Sequence, residues 1–283
     1  MYDVTVAQLP EELQSRLTVV PDFTALSRAM ARMMADALEE KTAADDYLTV
    51  ILPVGPLDYS LFADEINRRN LNCRFLRTVN MDEYLDDGGE LIPMSHPLSF
   101  RRFMEENFFS ALAPELRPPA ENIVFPDPHA PSAVTELIDA AGGADLCWAG
   151  FGITGHVAFN DPPWMLGEPS DMASFRNCKT REVPISPMAK AQMAMGGTCG
   201  NLDIIPDRAV TIGMYELLKT RTFYLTFMRN WHAGLWRRAL LGEISSSFPG
   251  SLLQEHPDLH IVMTELAAAP PPVNTQQATG EEQ

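Results

Sequence analysis

The feature that most constrains this chain is an alternation, running from Leu17 to Met263, of short apolar runs with stretches of helical periodicity. Tyr47–Leu52 (YLTVIL) is nearly all apolar or β-branched, as expected of a strand buried on both faces of a parallel sheet. Ahead of it, Leu17–Val20 reads as a strand. Asp22 or Thr24 then opens a helix whose apolar face is Leu26, Met30, Met33, Met34, Ala37 and Leu38. After it come a helix over Tyr59–Arg68, a strand over Cys73–Val79, a helix over Ser99–Leu112 and a strand over Asn122–Phe125. A helix over Ser132–Ala140 and a strand over Leu146–Ala149 follow. Beyond a long irregular region, Ala209–Ile212 reads as strand, Tyr215–Lys219 as a helical turn, Phe223–Phe227 as strand, Trp231–Leu241 as helix and His260–Met263 as strand. This order predicts an α/β fold, a doubly wound, mostly parallel sheet with helices on both faces. Residues 17–266 form the expected single domain. Residues 1–16 are an N-terminal extension, and the Pro- and Gln-rich stretch 267–283 is expected to be a disordered tail.

Charge narrows the function. With 21 Lys and Arg against 38 Asp and Glu, the net charge is −17, and such a surface repels nucleic acid and anionic membranes. It would also repel a phosphorylated sugar unless local donors overrode the field. The four cysteines form no CxxC or Cys/His cluster, which fits a reducing compartment. Neither a basic–apolar leader nor a run of 18 apolar residues occurs, so a soluble, cytoplasmic protein is expected.

In open α/β sheets, ligands collect beyond the carboxyl ends of the strands. Three polar segments follow apolar runs. Asn80-Met81-Asp82-Glu83-Tyr84 carries two adjacent carboxylates that project differently, so one can face the crevice while the other anchors the loop; a merely solvated turn fits the same residues. Gly150–Pro162 (GFGITGHVAFNDP) has glycines at 150, 152 and 155, which permit close backbone approach to a ligand. A dinucleotide site would need an acid ending a second strand near residues 169–171, where no strand pattern appears. What remains is His156 leaving a glycine turn, with Asp161 five residues on as a carboxylate able to fix its tautomer. In Ser251–Pro257, Pro257 ends a helix and His256 caps or packs, a structural role.

Together these segments resemble the glucosamine-6-phosphate deaminase/isomerase family, related to the 6-phosphogluconolactonases, from about Leu17 to Glu265. The resemblance rests on Asn80–Tyr84, on His96-Pro97 and Asn107-Phe108-Phe109, on Gly152–Pro162, and on Leu253-Gln254-Glu255-His256-Pro257. It implies chemistry without metal or organic cofactor on a small-molecule sugar or sugar phosphate, in a monomer or a symmetric oligomer. Carried over, Asp82 would move a proton between C2 and C1 of the opened sugar. His156 would assist ring opening, with Asp161 as its partner and Thr154 where the family has an aspartate. Glu83, Gly152 and Gly155 would lie against substrate.

The chain departs from the family at the phosphate end. Pro53-Val54-Gly55-Pro56-Leu57-Asp58 stands where the resemblance places a phosphate loop, so Pro53, Val54 and Gly55 would meet the sugar's far end with fewer donors and an added charge. His232 stands near the family's phosphate-binding lysine; Arg229, Arg176 and Lys179 are the basic residues able to substitute. Three readings follow: an isomerase or deaminase acting on an amino sugar or related sugar; a sugar-phosphate enzyme, deaminase or lactonase-like hydrolase, with substitute anchors; and a non-catalytic sugar-binding sensor. The stretch Trp164–Lys190, with Trp164, Met165, Arg176 and Lys179, is expected to be a lid or a plain long loop.

Overall fold

A computed structural model describes residues 1–55 and 57–271. Ten strands and eleven α-helices alternate along them. In chain order these are α1 (Glu11–Ser15), β1 (Leu17–Val20), α2 (Phe23–Ala43), β2 (Leu48–Leu52), α3 (Tyr59–Arg69), β3 (Leu76–Asn80), β4 (Asp82–Leu85), α4 (Phe100–Asn107), β5 (Ile123–Val124), α5 (Ser132–Ala140) and β6 (Leu146–Ala149). There follow α6 (Pro163–Leu166), α7 (Met172–Arg176), β7 (Arg181–Pro184), α8 (Pro187–Gly197), β8 (Arg208–Thr211), α9 (Met214–Leu218), β9 (Thr222–Phe227), α10 (His232–Leu241), β10 (Leu259–Thr264) and α11 (Glu265–Ala268).

Seven strands form one parallel sheet in the order β1-β10-β9-β6-β2-β3-β5. From β2 the chain steps to β3 and β5 on one side, then returns to place β6 on the other. The winding direction therefore reverses between β2 and β6, which opens a crevice at their carboxyl ends. Alternation along β2 feeds two cores, since successive side chains point to opposite faces. Ile51 joins Cys147, Phe223, Leu225 and Ile261 under α5 and α10, whereas Leu48, Val50 and Leu52 join Trp148 under α2 and α3. The expected doubly wound α/β sheet is the fold observed.

Local signals explain the helix starts. Asp22 caps α2 by accepting from Ala25 N at 2.8 Å, and its buried stripe includes Leu26, Met30, Met34 and Leu38. Three expectations need correction. The strand expected from Cys73 begins at Leu76, because Cys73–Phe75 form a 3-10 turn. The helix expected over Ser99–Leu112 ends at Asn107 and is continued by a 3-10 turn. Asp82–Leu85, expected as a loop, is β4, the edge of a second, antiparallel sheet ordered β4-β8-β7 over its own small core of Tyr84, Phe159, Val183 and Ala209.

The terminal segments pack on the domain. Leu9 is buried, and Arg237 spans both ends of the chain by donating to Val4 O (2.7 Å) and Ala268 O (3.1 Å). The tail expected to be disordered from Ala267 is thus packed at its start: Ala267 is buried and its carbonyl accepts from Trp236 Nε1 at 2.9 Å. The rest of it, from 272 on, lies outside the described residues. Among the described residues, no helix is long and apolar enough to cross a membrane.

Candidate active site

Asp82 opens β4 immediately beyond the carboxyl end of β3, and Met81 between them bonds to both neighbours: Met81 N donates to Leu52 O (3.0 Å) and Met81 O accepts from Ile212 N (2.8 Å). The strand geometry explains why the adjacent carboxylates part company. Glu83 is fully buried and saturated by donors from the start of α4, namely Ser99 Oγ (2.9 Å), Phe100 N (3.0 Å), Arg101 N (2.9 Å) and Arg101 Nε (3.1 Å). It anchors a helix N-terminus and has no capacity for substrate, which corrects its assignment to binding. Asp82 points the other way and is 7 % exposed. Burial first, and then the neighbouring charge of Glu83, push its carboxyl up to about 8, against a smaller opposing pull from the Thr211 hydroxyl.

His156 is held by the glycine turn after β6. Gly152 N donates to His156 O (2.9 Å), and a Cβ at Gly152 would stand 2.0 Å from His156 Nε2, so only glycine leaves room for the imidazole. Gly155, at φ +86°, supports the turn by donating to Gly152 O and by lying flat against Phe248. On the ring's other side, His156 Nδ1 lies 3.0 Å from Asp161 Oδ1 and 2.8 Å from Thr154 Oγ1. Thr154 Oγ1 is also 2.5 Å from Asp161 Oδ1. A hydroxyl has one proton; given to Asp161, it leaves Thr154 able only to accept from Nδ1–H. Nδ1 therefore carries the proton and Nε2 presents the lone pair. Burial raises the Asp161 carboxyl, but His156, Thr154 and Ser186 outweigh it and hold the group below the usual carboxylate value.

The two halves are tied together by a residue that the sequence did not single out. Thr211 faces Asp82 in the β4–β8 ladder, and its Oγ1 accepts from Phe159 N (3.1 Å), three residues past His156. Asn160, fully buried, adds a second tie by donating to Ile212 O (2.9 Å) and Val157 O (3.0 Å). Thr211 could not be found from the sequence, because its role depends on the pairing of β4 with β8. Ser186 could have been: Ser-Pro before a helical stretch is a cap signal, and Ser186 does cap α8 by accepting from Ala189 N (3.1 Å). From α8, Gln192 reaches back to accept from Ile153 N (2.6 Å), which ties that helix to the glycine turn.

The basic residues expected at the site are dispersed. Arg176 pairs with Glu255, in the segment leading to the amino end of β10, and Lys179 stacks over the Tyr215 ring at 4.9 Å; neither is offered to the crevice. His232 is 2 % exposed, and its Nδ1 accepts from Met228 N (2.8 Å) and Arg229 N (3.3 Å). Burial, helped by Arg229, lowers its pKa to about 3, so His232 is neutral and its Nε2–H is an unpartnered donor. Arg229 is exposed at the carboxyl end of β9. Pro53, Val54 and Gly55 leave β2 as expected, with Gly55 exposed. His256 packs as expected, its Nε2 2.8 Å from Thr220 O. Two surface cavities, of about 170 and 220 Å³, lie elsewhere: one between α2 and α3, the other lined by Glu168, Phe175, Cys178 and Arg181. Among the described residues no group of three or more His, Cys, Asp or Glu side chains could hold a metal ion.

The chain is similar to known proteins in sequence and in fold. The chain is 25% identical over 267 residues to the glucosamine-6-phosphate deaminase of Clostridium beijerinckii, covering 88% of this chain and 97% of the relative. It is 26% identical over 256 residues to glucosamine-6-phosphate deaminase 1 of Bacillus subtilis, covering 87% and 96%. Among solved structures, a monomeric glucosamine-6-phosphate deaminase superposes with a TM-score of 0.73 at 23% identity, over 89% of this chain and 98% of that one. A 6-phosphogluconolactonase from Leishmania guyanensis gives 0.62 at 12% identity, over 89% and 96%. No family model matches. Sheet topology and strand-end chemistry are those of a doubly wound α/β enzyme. In sequence the chain is similar along most of its length to glucosamine-6-phosphate deaminases, and it shares its fold with solved structures of such a deaminase and of 6-phosphogluconolactonases.

Proposed function

We propose that the protein converts a 2-amino aldose to a ketose with release of ammonia, using Asp82 and His156. His156, with its lone pair on Nε2, takes the proton of the anomeric hydroxyl and delivers it to the ring oxygen as the bond from C1 to that oxygen breaks. The C2 proton, acidic once C1 is an aldehyde, passes to the Asp82 carboxylate and returns to C1, while a proton moves from the amine nitrogen to the C1 oxygen. The imine left at C2 adds water and expels ammonia, so substrate plus water gives ketose plus ammonia. One observation carries the reading: a buried, pKa-raised carboxylate and a tautomer-fixed imidazole belong to the exits of β3 and β6, the strands flanking β2, and Thr211 ties their backbones together. Four unpaired cysteines among the described residues fit a reducing compartment such as the cytoplasm.

The test is an assay of ammonia release and ketose formation over a panel of amino and neutral sugars, with and without phosphate. Turnover is expected on a 2-amino aldose and should fall by about 10²- to 10⁴-fold in Asp82→Asn, as for loss of a general base. Turnover of the variant within a few-fold of the native protein would exclude the assignment.

A further inference from the structure

Helix α8 touches both catalytic halves with consecutive residues. Gln192 Oε1 accepts from Ile153 N (2.6 Å) in the glycine turn of His156, and Met193 Sδ accepts from the Tyr84 hydroxyl (2.6 Å) on β4. Tyr84 stands two residues beyond Asp82, on the same face of that strand. The helix is held at its start as well, where its cap Ser186 lies against Asp161. α8 therefore spans the approach from His156 to Asp82, with Gln192 on the His156 side.

The Gln192 amide lies close to the reactive nitrogen. A Cβ on Gly152 would stand 2.0 Å from His156 Nε2, and Ile153 N is bonded to the carbonyl carbon of that glycine. Standard bond lengths then bring Ile153 N within about 6 Å of Nε2, the scale of one sugar ring. Chemistry fixes which way the amide is turned. A backbone N–H can bond only to the amide oxygen, so Oε1 is committed to Ile153 and the NH2 group is the free end. That group carries two donors and has no partner among the described residues, although Gln192 is only partly exposed.

Building on the deaminase reading, we infer that Gln192 is a further catalytic residue, whose Nε2–H donates to the oxygen on C1. His156 Nε2 takes the proton of that oxygen at ring opening, so the oxygen lies on the Gln192 side of the site. Once the ring is open it is an aldehyde carbonyl. When the C2 proton leaves for Asp82, the C2–H electron pair moves into the C1–C2 bond and charge collects on the C1 oxygen. The amide stabilises that charge until the amine's proton arrives, and keeps both of its own protons. A donor already bonded in place needs no reorganisation at that moment.

The test separates a donor from a strut between α8 and the glycine turn. Gln192→Glu keeps an oxygen for Ile153 N but has no N–H near neutral pH; Gln192→Met fills the space and loses both. Steady-state kinetics on glucosamine and glucosamine 6-phosphate are taken at each variant's pH plateau, so that any shift in His156 drops out. Both variants should lose kcat by about 10²- to 10³-fold, as for one donor to a developing oxyanion, with KM changed by no more than about threefold. Only Gln192→Met should melt lower, since it alone breaks the bond to Ile153. A loss of activity confined to Gln192→Met makes the residue a strut and overturns the inference, as does a Gln192→Glu variant within about tenfold of the native kcat. No turnover of either sugar by the native protein sinks the deaminase reading and this inference with it. Native turnover with an unimpaired Gln192→Glu sinks the inference alone.

Discussion

Thr154 gives its one hydroxyl proton to Asp161 at 2.5 Å, so that it and Asp161 both accept from His156 Nδ1 and leave Nε2 free to act. Thr154→Val should lower kcat by about 10- to 100-fold, the kinetic equivalent of one hydrogen bond to a charged group, and Thr154→Ser should restore it.

Asp82 has a pKa raised to about 8 from an ordinary 3.8. Because the folded protein holds this proton more tightly than the unfolded chain does, the group favours folding most below its unfolded pKa. That contribution is lost as pH rises from about 4 through 8. Catalysis needs the carboxylate, so activity and stability oppose each other here. Asp82→Asn should melt higher than the native protein at pH 8 and above, by about 2–4 °C for each kcal/mol relieved, and by less at pH 5. Thermal melts at the two pH values measure this directly.

How much of the molecule was legible in the sequence depends on what each residue's role requires. Asp82, His156 and Asp161 could be read because they come after apolar strands at the edge where α/β sheets bind ligands. The sheet itself was legible because strands such as Leu146–Ala149 are continuous apolar runs. Residues 150–208 were not, since α6, α7 and β7 are four or five residues long and β7 has only Val183 buried. Glu83 was misassigned because a strand's alternation sends it to the start of α4, a contact far along the chain. Arg176 and Lys179 were misplaced for the same reason: Glu255 and Tyr215, distant in sequence, take them up.

Gly152 tests the steric side of the account. With an ideal Cβ 2.0 Å from His156 Nε2, Gly152→Ala must displace the imidazole. Activity should fall by about 100-fold or more, on the scale of a displaced catalytic group, while the protein remains folded by circular dichroism. Full activity in this variant would mean that His156 does not act from the position described.

Glu83→Gln tests the structural carboxylate. Its loss from a site built of Ser99, Phe100 and Arg101 donors should lower stability, by about 3–5 kcal/mol if the pair with Arg101 is broken outright, and thermal melts read this as a lower melting temperature. It also removes the charge that helps raise Asp82, so the acid limb of the pH–rate profile should move to lower pH.

Proton abstraction at C2 is best followed directly, by nuclear magnetic resonance on an amino sugar deuterated at that carbon. Native protein should break the C2–D bond as fast as ketose appears. Asp82→Asn, with sugar still bound, should hold the label at least about 100 times longer. A variant that breaks that bond at the native rate would contradict the role given to Asp82.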